Sequence, residues 1–444
     1  MCYNYYGDIM IYYFIGIKGS GMSSLACIMH DLGYKVMGSD KAEHFFTEVE
    51  LNKRNIEILE FNEDNIKEDM IIVKGNAFGD ENAEVRKSKE LNLKTYSYQQ
   101  MIDEVTKNYK LIAISGCHGK TTTSTMMSKV LEPLGVNYLI GDGSGYAKRD
   151  NKYFVLEACE YKRHFLEYHP HYSIITNIEL DHTDYYKDLD DVKDAFISFI
   201  NKTNNTVIAC GDDKNIRSIK TNKKILYYGF KEDNDIVMKN ISHNTDKATA
   251  DVYINNELFD TYTFPFVADH LLLNVLSVIG VCYLEKIDKN IIKEQILKIE
   301  PAKRRFIEEK FEDNILIDDY AHHPTELKVT IEAARKKYPD RKIIAIFKPH
   351  TKSRVKFFAK DFADALNLAD KSYVTEISED RVEVGYDDVS SNDIIKNLKN
   401  GELISLETVN KLLEYKNCVL LFMSSKDIYV LKDKYKEEYK TTVK

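Results

Sequence analysis

Several features that mark particular protein classes are absent from this 444-residue sequence. Its seven cysteines are scattered and form no CxxC pair, which argues against a disulfide framework and predicts an intracellular protein with reduced thiols. No uninterrupted apolar run reaches about 18 residues, so the sequence predicts no membrane span. The N-terminal stretch MCYNYYGDIMIYYFIGIKG has no cationic start before its apolar residues, so we do not predict a signal peptide. Tryptophan is absent too, and this carries no functional information.

An excess of positive charge is also lacking. Lys and Arg total 62 against 71 Asp and Glu, a net charge of −9, which disfavours a protein that binds nucleic acid by neutralising phosphates. The composition, 43% hydrophobic and 30% charged, is that of a folded chain and excludes wholesale disorder. At about 100 to 200 residues per domain, the length predicts two to four domains.

Short apolar segments alternate with helix-like segments along the chain. This βαβα order begins at Ile11, restarts at Tyr109 and restarts again after Pro301. Such alternation predicts parallel sheets with helices on both faces. We therefore predict an α/β protein with three domains, at residues 1–107, 108–300 and 301–444.

The segment GCHGKTTT, residues 116–123, is the most informative motif. It lies between a predicted strand, KLIAIS, and a predicted helix, STMMSKVLEPLG, and its backbone N–H groups from Gly116 to Lys120 are expected to point at phosphate oxygens. Lys120 would reach the β and γ phosphates, and Thr121 would present its hydroxyl to Mg²⁺. The usual phosphate-loop pattern requires glycine where this chain has Ile114. The alternative is a surface helix start with chance Gly, Lys and Thr.

Two acidic segments follow predicted strands in the same domain. EACE begins at Glu157, and NIELDHTDYY contains Asp181 and His182. Because ligands bind beyond the carboxyl ends of parallel strands, Glu157 and His182 could meet at the metal site near Thr121. A carboxylate suits Mg²⁺ better than an imidazole does. Helix capping by the acidic residues and simple packing of His182 remain the alternative.

A glycine-rich turn follows the first predicted strand. FIGIKGSGMSSLA places Gly16, Gly19 and Gly21 before a helix, with Asp40 at the end of the next strand. The dinucleotide fingerprint requires Gly or Ala where this chain has Ser24, so a hydride-transfer cofactor is weakly supported. The pattern predicts a turn that binds a diphosphate, such as that of UDP, NAD or FAD. A purely structural tight turn is the alternative.

The last third carries three polar clusters. The cationic segment AKRRF follows the second restart, where it could close over a triphosphate or could be ordinary solvated surface. Asp319 and His322 follow one predicted strand, and His350 and Arg354 follow another. These positions predict a substrate-facing edge of the sheet. His322 and His323 lack a further ligand at a spacing typical of a metal site.

Taken in order, these segments resemble the Mur ligases, the ATP-dependent amide-forming enzymes of peptidoglycan precursor synthesis. The resemblance covers essentially the whole chain. The motifs that carry it are GIKGSGMSSLA, GSD, GCHGKTTT, EACE, TNIELDHTDYY, DHLLLNVLSVIG, KRRF, DDYAHHPTE and PHTKSR. Each motif is weak alone, and their joint order is specific.

The resemblance implies an N-terminal Rossmann-like domain for the UDP moiety, a central P-loop-like ATPase domain and a C-terminal Rossmann-like domain that closes. It implies catalytic roles for Lys120, Glu157 and His182, with Mg²⁺ held by Thr121, Glu157 and His182. Residues implied around ATP are Gly116, Cys117, His118, Gly119, Lys120, Thr121, Thr122, Asn274, Arg305, Asp319 and His322. Residues implied around the UDP-sugar are Gly16, Gly19, Gly21, Met22, Ser23, Asp40, His350 and Arg354.

The implied reaction joins L-alanine to the lactyl carboxylate of UDP-N-acetylmuramate, with ATP and Mg²⁺, through an acyl phosphate. A cytoplasmic monomer or homodimer without nucleic-acid or membrane partners is expected. Alternatives are a relative that attaches a peptide or another amino acid to the same UDP-sugar, and a nucleotide-binding protein whose catalytic loop has decayed. A dinucleotide oxidoreductase is disfavoured by Ser24 and by the phosphate loop.

The sequence departs from the family pattern at several positions. Cys159 replaces a carboxylate in EACE, Lys348 stands where Gln is usual, and Thr351 stands where Arg is frequent. The late GAGD loop is replaced by SSKD at residues 424–427. Because both glycines are lost near the expected amino-acid site, amino-acid recognition is the least secure implication of the resemblance.

Overall fold

The structure is a computed structural model that describes residues 10–45, 47–244, 246–300, 304–378, 383 and 385–442. Three separate sheets, each built mainly from parallel strands, organise these residues, and this confirms the predicted α/β class. The sheets change between Ser97 and Lys110 and again between Phe264 and Ile307. The precise domain limits at 107 and 300 stay predictions.

Five parallel strands form the N-terminal sheet: β1 (Ile11–Ile15), β2 (Lys35–Asp40), β3 (Glu57–Glu60), β4 (Met70–Lys74) and β5 (Thr95–Ser97). The accompanying helices are α1 (Ser20–Asp31), α2 (Glu48–Lys53), α3 (Ala83–Glu90) and α4 (Tyr98–Thr106). The spatial order is β3-β2-β1-β4-β5, so the order reverses at β1. The glycine turn after β1 therefore opens at the edge where parallel sheets bind ligands.

Ten strands form the central sheet: β6 (Lys110–Ser115), β7 (Val136–Leu139), β8 (Gly145–Tyr146), β9 (Tyr153–Glu157), β10 (Tyr172–Ile175), β11 (Thr206–Cys210), β12 (Ile225–Gly229), β13 (Ile236–His243), β14 (Ala248–Ile254) and β15 (Glu257–Phe264). Its helices are α5 (Lys120–Leu131), α6 (Leu189–Lys202), α7 (Lys214–Arg217), α8 (Asp269–Leu284) and α9 (Lys289–Ile296). The spatial order is β15-β14-β13-β12-β11-β10-β6-β9-β7-β8. The neighbouring strands from β13 to β7 in this spatial order pair in parallel, whereas β8, β14 and β15 are antiparallel to their neighbours. β6 lies between β9 and β10. The loops after these three strands therefore meet at one edge.

Six strands form the C-terminal sheet: β16 (Ile307–Phe311), β17 (Asn314–Asp319), β18 (Lys342–Phe347), β19 (Lys371–Val374), β20 (Gly401–Leu403) and β21 (Cys418–Met423). Its helices are α10 (Pro324–Lys337), α11 (Lys352–Leu366), α12 (Asn392–Ile395) and α13 (Tyr429–Thr442). The order is β16-β17-β21-β18-β19-β20, with only β16 antiparallel to its neighbour. Apolar side chains cover both faces of this sheet, which accounts for the continuous apolar strands in the sequence.

The N-terminal and central units share one continuous hydrophobic core. Polar contacts reinforce it: the Ser24 hydroxyl donates to the Gly143 carbonyl at 2.8 Å, and the Arg149 guanidinium donates to the Leu32 carbonyl at 2.7 Å. Ser24, the residue that breaks the dinucleotide fingerprint, thus contributes to domain packing. The shared core holds the glycine turn in a fixed position relative to the central sheet.

One sequence-based boundary is wrong. The helix after the phosphate loop is predicted from Ser124, but α5 begins at Lys120, a full turn earlier. Gly119, with φ of 80°, adopts the left-handed conformation that glycine accepts without strain, and it turns the chain directly into the helix. Lys120 and Thr121 are therefore the first residues of a helix rather than residues of a turn.

No helix in the described part of the chain is long and apolar enough to cross a bilayer. Residues 1–9 of the stretch considered as a signal peptide lie outside the described residues, as do Ala302 and Lys303 of the cationic segment.

Glu285, directly after α8, connects the first residues of three strands of the central sheet, at the edge opposite the phosphate loop. Its buried carboxylate accepts from Lys110 and Tyr172 through one oxygen and from Lys152 and Tyr153 through the other, at 2.7 to 3.0 Å. Burial alone would raise the pKa of Glu285, but these donors lower it to about 2. The ionised carboxylate therefore stabilises the fold.

Glu285→Gln should lower the urea midpoint of unfolding at neutral pH. Because the folded-state pKa lies below the unfolded value of about 4.3, the stabilisation is present above that pH and is lost as the pH falls towards 2. The difference between wild type and variant should stay constant above about pH 5 and should shrink as the pH falls from there towards 2. Glu294→Gln, at an exposed pair with Lys298, is the matched control. A constant difference across this range would contradict the assignment.

Candidate functional site

The phosphate loop connects β6 to α5 and is clamped from behind by the residues that follow β10. A Cβ at Gly116 would lie 2.1 Å from the Thr176 hydroxyl, so glycine is required at this close approach. Asn177 accepts the His118 N–H at 2.8 Å through its side chain, and its carbonyl accepts the Cys117 N–H at 3.3 Å. The N–H groups of Cys117 and His118 are thus paired with Asn177 in this structure, and the contact of the loop N–H groups with a phosphate stays a prediction.

Lys120 is held at the floor of the loop. Its ammonium donates to the Gly116 carbonyl at 2.6 Å and lies 2.9 and 3.0 Å from the two carboxylate oxygens of Glu160. Glu160 is 1% exposed and also lies 3.2 Å from Nε2 of His182. Burial would raise the pKa of Glu160, but Lys120 and His182 hold it below its usual value. The loop thus carries a preformed cation whose carboxylate partner the sequence-based prediction missed.

Two of the three predicted metal ligands are in direct contact. The Thr121 hydroxyl donates to Oε1 of Glu157 at 3.2 Å, and Oε2 of Glu157 accepts the Gly141 N–H at 2.8 Å. Burial raises the pKa of Glu157. His182 contacts Glu160 instead of Glu157, and its φ of 50° marks a constrained backbone. All three predicted ligands line one cavity of about 570 Å³.

That cavity lies where the three units meet. Ser20 reaches it from the N-terminal unit, the phosphate loop forms its central wall, and His322, His350 and Arg354 enter from the C-terminal unit. Charged and polar side chains line this space next to a helix N-terminus, and such a lining suits an anionic substrate.

A second cavity of about 360 Å³ lies on the other side of Gly119. Pro265, Phe266 and Leu271 give it apolar walls, and Asn274 and Asp319 supply polar groups. The two cavities share His118, Gly119, Arg305 and Glu326. The smaller cavity has apolar walls that suit a flat base, and the larger cavity has polar residues that suit phosphates. Together the two cavities match a ligand that carries a base at one end and phosphates at the other.

The predicted nucleotide residues of the C-terminal unit have defined partners. Asp319 accepts the N–H groups of Phe306 and Ala321, both at 2.8 Å, and burial raises its pKa. It therefore also anchors the connection into the C-terminal sheet. The Arg305 guanidinium lies 4.8 Å from the ring centre of Tyr320 and faces the shared part of the cavities. His322 lies 3.0 Å from Glu326.

Arg354 joins the central and C-terminal units. Its Nη2 and Nε donate to Oδ1 of Asp181 at 2.7 and 3.2 Å, and both side chains are buried. Burial would raise the pKa of Asp181, but Arg354 holds it well below its usual range. Arg354 also lines the cavity of about 570 Å³, and its contact with the sugar stays a prediction.

The SSKD loop at 424–427, which departs from the family pattern, is held by several polar contacts. The Arg304 guanidinium donates to the carbonyls of Ser424 and Lys426, both at 2.8 Å, and Lys348 pairs with Asp427 at 2.6 Å. Ser425 hydrogen-bonds Nδ1 of His350 at 3.0 Å and lines the larger cavity. Two residues that depart from the family pattern, Lys348 and Ser425, thus hold this loop next to the end of β18, and the substrate contacts of this edge stay a prediction.

The predicted UDP-sugar residues of the N-terminal unit gather around the glycine turn. A Cβ at Gly16, where φ is 84°, would lie 2.1 Å from the Phe78 ring. Asp40 accepts the Lys18 N–H at 2.7 Å and so fixes the turn from within. Gly19 and Gly21 flank Ser20, while Met22 and Ser23 are buried in the first turn of α1. Their contact with a ligand stays a prediction.

Three family models match consecutive parts of the chain: the Mur ligase family catalytic domain at 11–110, the Mur ligase middle domain at 114–282 and the Mur ligase glutamate ligase domain at 304–431. The UDP-N-acetylmuramate–L-alanine ligase of Ligilactobacillus salivarius (strain UCC118) is 45% identical over 431 residues, 96% of each chain.

Solved structures of Mur ligases share the fold of this chain. The crystal structure of UDP-N-acetylmuramate-alanine ligase from Thermotoga maritima has a TM-score of 0.78 and 25% identity, with 98% of this chain and 100% of that chain covered. A murein peptide ligase from Psychrobacter arcticus shares the fold, with a TM-score of 0.68, 22% identity and coverage of 96% and 98%. The order of the motifs, the three units and these matches lead to one conclusion: the chain belongs to the Mur ligase family.

Proposed function

We propose that this protein is an ATP-dependent ligase that joins L-alanine to the lactyl carboxylate of UDP-N-acetylmuramate. The observation that carries the proposal is the cavity at the junction of the three units, where Lys120, Thr121 and Glu157 meet residues of the C-terminal edge. The curated relative of this activity, 45% identical along nearly the whole chain, supports the choice of substrates. A decayed binding protein is disfavoured because the phosphate loop retains both its lysine and its threonine.

The reaction proceeds in two steps. A carboxylate oxygen of the UDP-sugar attacks the γ-phosphorus of ATP, the bond to the β,γ-bridging oxygen breaks, and ADP and an acyl phosphate form. The amine of L-alanine then attacks the acyl carbon, loses a proton, and the C–O bond to phosphate breaks. Lys120 neutralises charge on the transferred phosphoryl group, and closure of the C-terminal unit over the cavity would exclude water from the acyl phosphate.

Mg²⁺ fits the donors at the end of β9. A threonine hydroxyl and a buried carboxylate 3.2 Å apart are oxygen ligands of the kind that this ion prefers, and His182 lines the same cavity. Thr121, Glu157 and His182 would hold the ion, which would supply positive charge to offset the negative charge of the phosphates. The residues of the 360 Å³ cavity would hold the base of ATP.

Glu157→Gln should raise the Mg²⁺ concentration for half-maximal phosphate release by at least about tenfold, since the carboxylate charge is lost while the shape is kept. Titration of Mg²⁺ at fixed ATP measures the effect. Glu167→Gln, at an exposed position after the same strand, is the control and should leave the curve unchanged. An unshifted Mg²⁺ curve in Glu157→Gln would remove this residue from the metal site.

The proposed substrates are tested by phosphate release from Mg²⁺-ATP with UDP-N-acetylmuramate and L-alanine, glycine, L-serine, the peptide L-alanyl-γ-D-glutamyl-meso-diaminopimelate or no amine. Release should require all substrates and be fastest with L-alanine, and the amide product should appear by mass spectrometry. Fastest release with the peptide would instead identify a peptide-joining ligase. Release without an amine, or none at all, would overturn the proposal.

A further inference from the structure

Two imidazoles and a carboxylate gather where the phosphate loop meets the C-terminal unit. Nε2 of His118 lies 3.3 Å from Oε2 of Glu179, and Nδ1 of His323 lies 3.7 Å from the same oxygen. The centres of the two imidazole rings are 4.6 Å apart. The three donor atoms all lie within 4.8 Å of one another. This cluster is separate from the Thr121–Glu157 pair to which we assign Mg²⁺.

The donor set is that of a late first-row metal. Two imidazole nitrogens and one carboxylate oxygen form the His₂Glu arrangement that holds Zn²⁺ with a fourth position open. Mg²⁺ prefers oxygen ligands and octahedral geometry, so it is a poor match.

The surroundings of the cluster orient its donors. Nδ1 of His118, on the side of the ring away from Glu179, lies 3.3 Å from Oε1 of Glu326. The Thr325 hydroxyl donates to Oε2 of Glu179 at 2.7 Å. A carboxylate behind a metal-binding histidine and a donor to the ligating carboxylate are the usual outer partners of zinc ligands.

The tautomer of His323 also suits metal binding. Its Nδ1 accepts a long contact of 3.4 Å from the Thr325 N–H, from which we infer the neutral tautomer with its proton on Nε2. Nε2 of this buried side chain has no hydrogen-bond partner among the described residues. A metal ion at Nδ1 would thus replace one weak contact.

We propose that His118, Glu179 and His323 form a Zn²⁺ site that bridges the central and C-terminal units. His118 and Glu179 belong to the central unit, and His323 precedes α10 of the C-terminal unit. A bound ion would tie the phosphate loop to the C-terminal sheet. His118 and Glu179 also line the cavity that we assign to the base of ATP, so the site borders the nucleotide, and its test measures metal binding rather than turnover.

Isothermal titration of the full-length protein with Zn²⁺ in a buffer that contains millimolar Mg²⁺ tests this site. Wild type should bind one equivalent, and His323→Gln should weaken binding by at least about tenfold. His44→Gln, at an exposed histidine beside Glu48, is the control for surface binding and should match wild type. Equal affinity in wild type and His323→Gln, or no Zn²⁺ binding beside Mg²⁺, would overturn the proposal.

Two further measurements distinguish the loss of a metal ligand from a folding defect in His323→Gln. Glu179→Gln removes a ligand from the other unit while keeping the side-chain shape, and it should weaken Zn²⁺ binding as His323→Gln does. Co²⁺ in place of Zn²⁺ should give the intense visible absorption of a four-coordinate site in wild type, and Glu179→Gln should lose it. A weak six-coordinate Co²⁺ spectrum in wild type would contradict the His₂Glu site.

Discussion

Lys120→Ala should reduce phosphate release by about a thousandfold or more while UDP-N-acetylmuramate still binds. The lysine supplies the positive charge at the floor of the phosphate loop, 2.6 Å from the Gly116 carbonyl. The glycine turn lies in another unit, so binding of the UDP-sugar should survive. Steady-state kinetics and calorimetry with the UDP-sugar measure the two effects.

The matched control for this change is Lys129→Ala on the same helix, where the lysine pairs with Glu132 at the surface. It should leave the rate within about twofold, since exposed ion pairs contribute little. Near-normal turnover in Lys120→Ala would exclude Lys120 from the mechanism.

Loss of Lys120 also leaves Glu160 buried without its main partner. Lys120→Ala combined with Glu160→Gln removes this uncompensated charge and separates the two consequences. If Lys120 acts on phosphate, the double variant should regain thermal stability and stay inactive. Recovery of activity in the double variant would show that the single change acted through Glu160.

Arg354→Ala should lower kcat/KM by about a hundredfold or more. Removing one member of a buried ion pair costs about 3–5 kcal/mol, because the remaining charge is uncompensated. Asp181 and Arg354 lie in different units, so this cost falls on the closed arrangement of the site. Phosphate-release kinetics at varied ATP and UDP-sugar measure it.

A thermodynamic cycle isolates the pair. Asp181→Asn combined with Arg354→Ala should recover part of the loss, since no charge is then stranded. Arg335→Ala, which breaks a half-exposed pair with Asp370 in the same unit, should cost only about 0–1 kcal/mol. Strictly additive effects of the two single changes would contradict a direct coupling between Asp181 and Arg354.

Local pattern predicted much of the fold because its signals lie within short stretches of sequence. The strand, glycine and helix around GCHGKTTT lie within about twenty residues, and so do those around the first glycine turn. The strand-end positions of Glu157 and Asp319 follow from the alternation of apolar segments with helices. These features require no knowledge of distant contacts.

The pairing of the buried carboxylates could not be predicted in the same way. Glu179 accepts from Thr325, which lies 146 positions away, and Asp181 pairs with Arg354 across 173 positions. The sequence shows Glu326 only as part of the motif HHPTE, and in the structure it takes part in the capping box of α10. Its position beside His118 results from how two units pack, and a single sequence does not encode that as a pattern.

The loop amides illustrate the same limit. The motif and the following helix predict that the loop N–H groups can point at phosphate oxygens, but they do not predict that Asn177, after another strand, accepts from two of these groups. Thr176 and Asn177, which follow β10, belong to the family motif TNIELDHTDYY. Only the hydrogen bonds of the structure show that these two residues hold the phosphate loop.

The most direct test of the central claim follows the carboxylate oxygen. UDP-N-acetylmuramate labelled with ¹⁸O in both lactyl carboxylate oxygens is converted with ATP and L-alanine, and the released phosphate is analysed by mass spectrometry. Reaction through an acyl phosphate should place one ¹⁸O in each phosphate and leave the other in the amide product. Unlabelled phosphate beside a doubly labelled carboxylate would show that ATP is merely hydrolysed and would contradict the account.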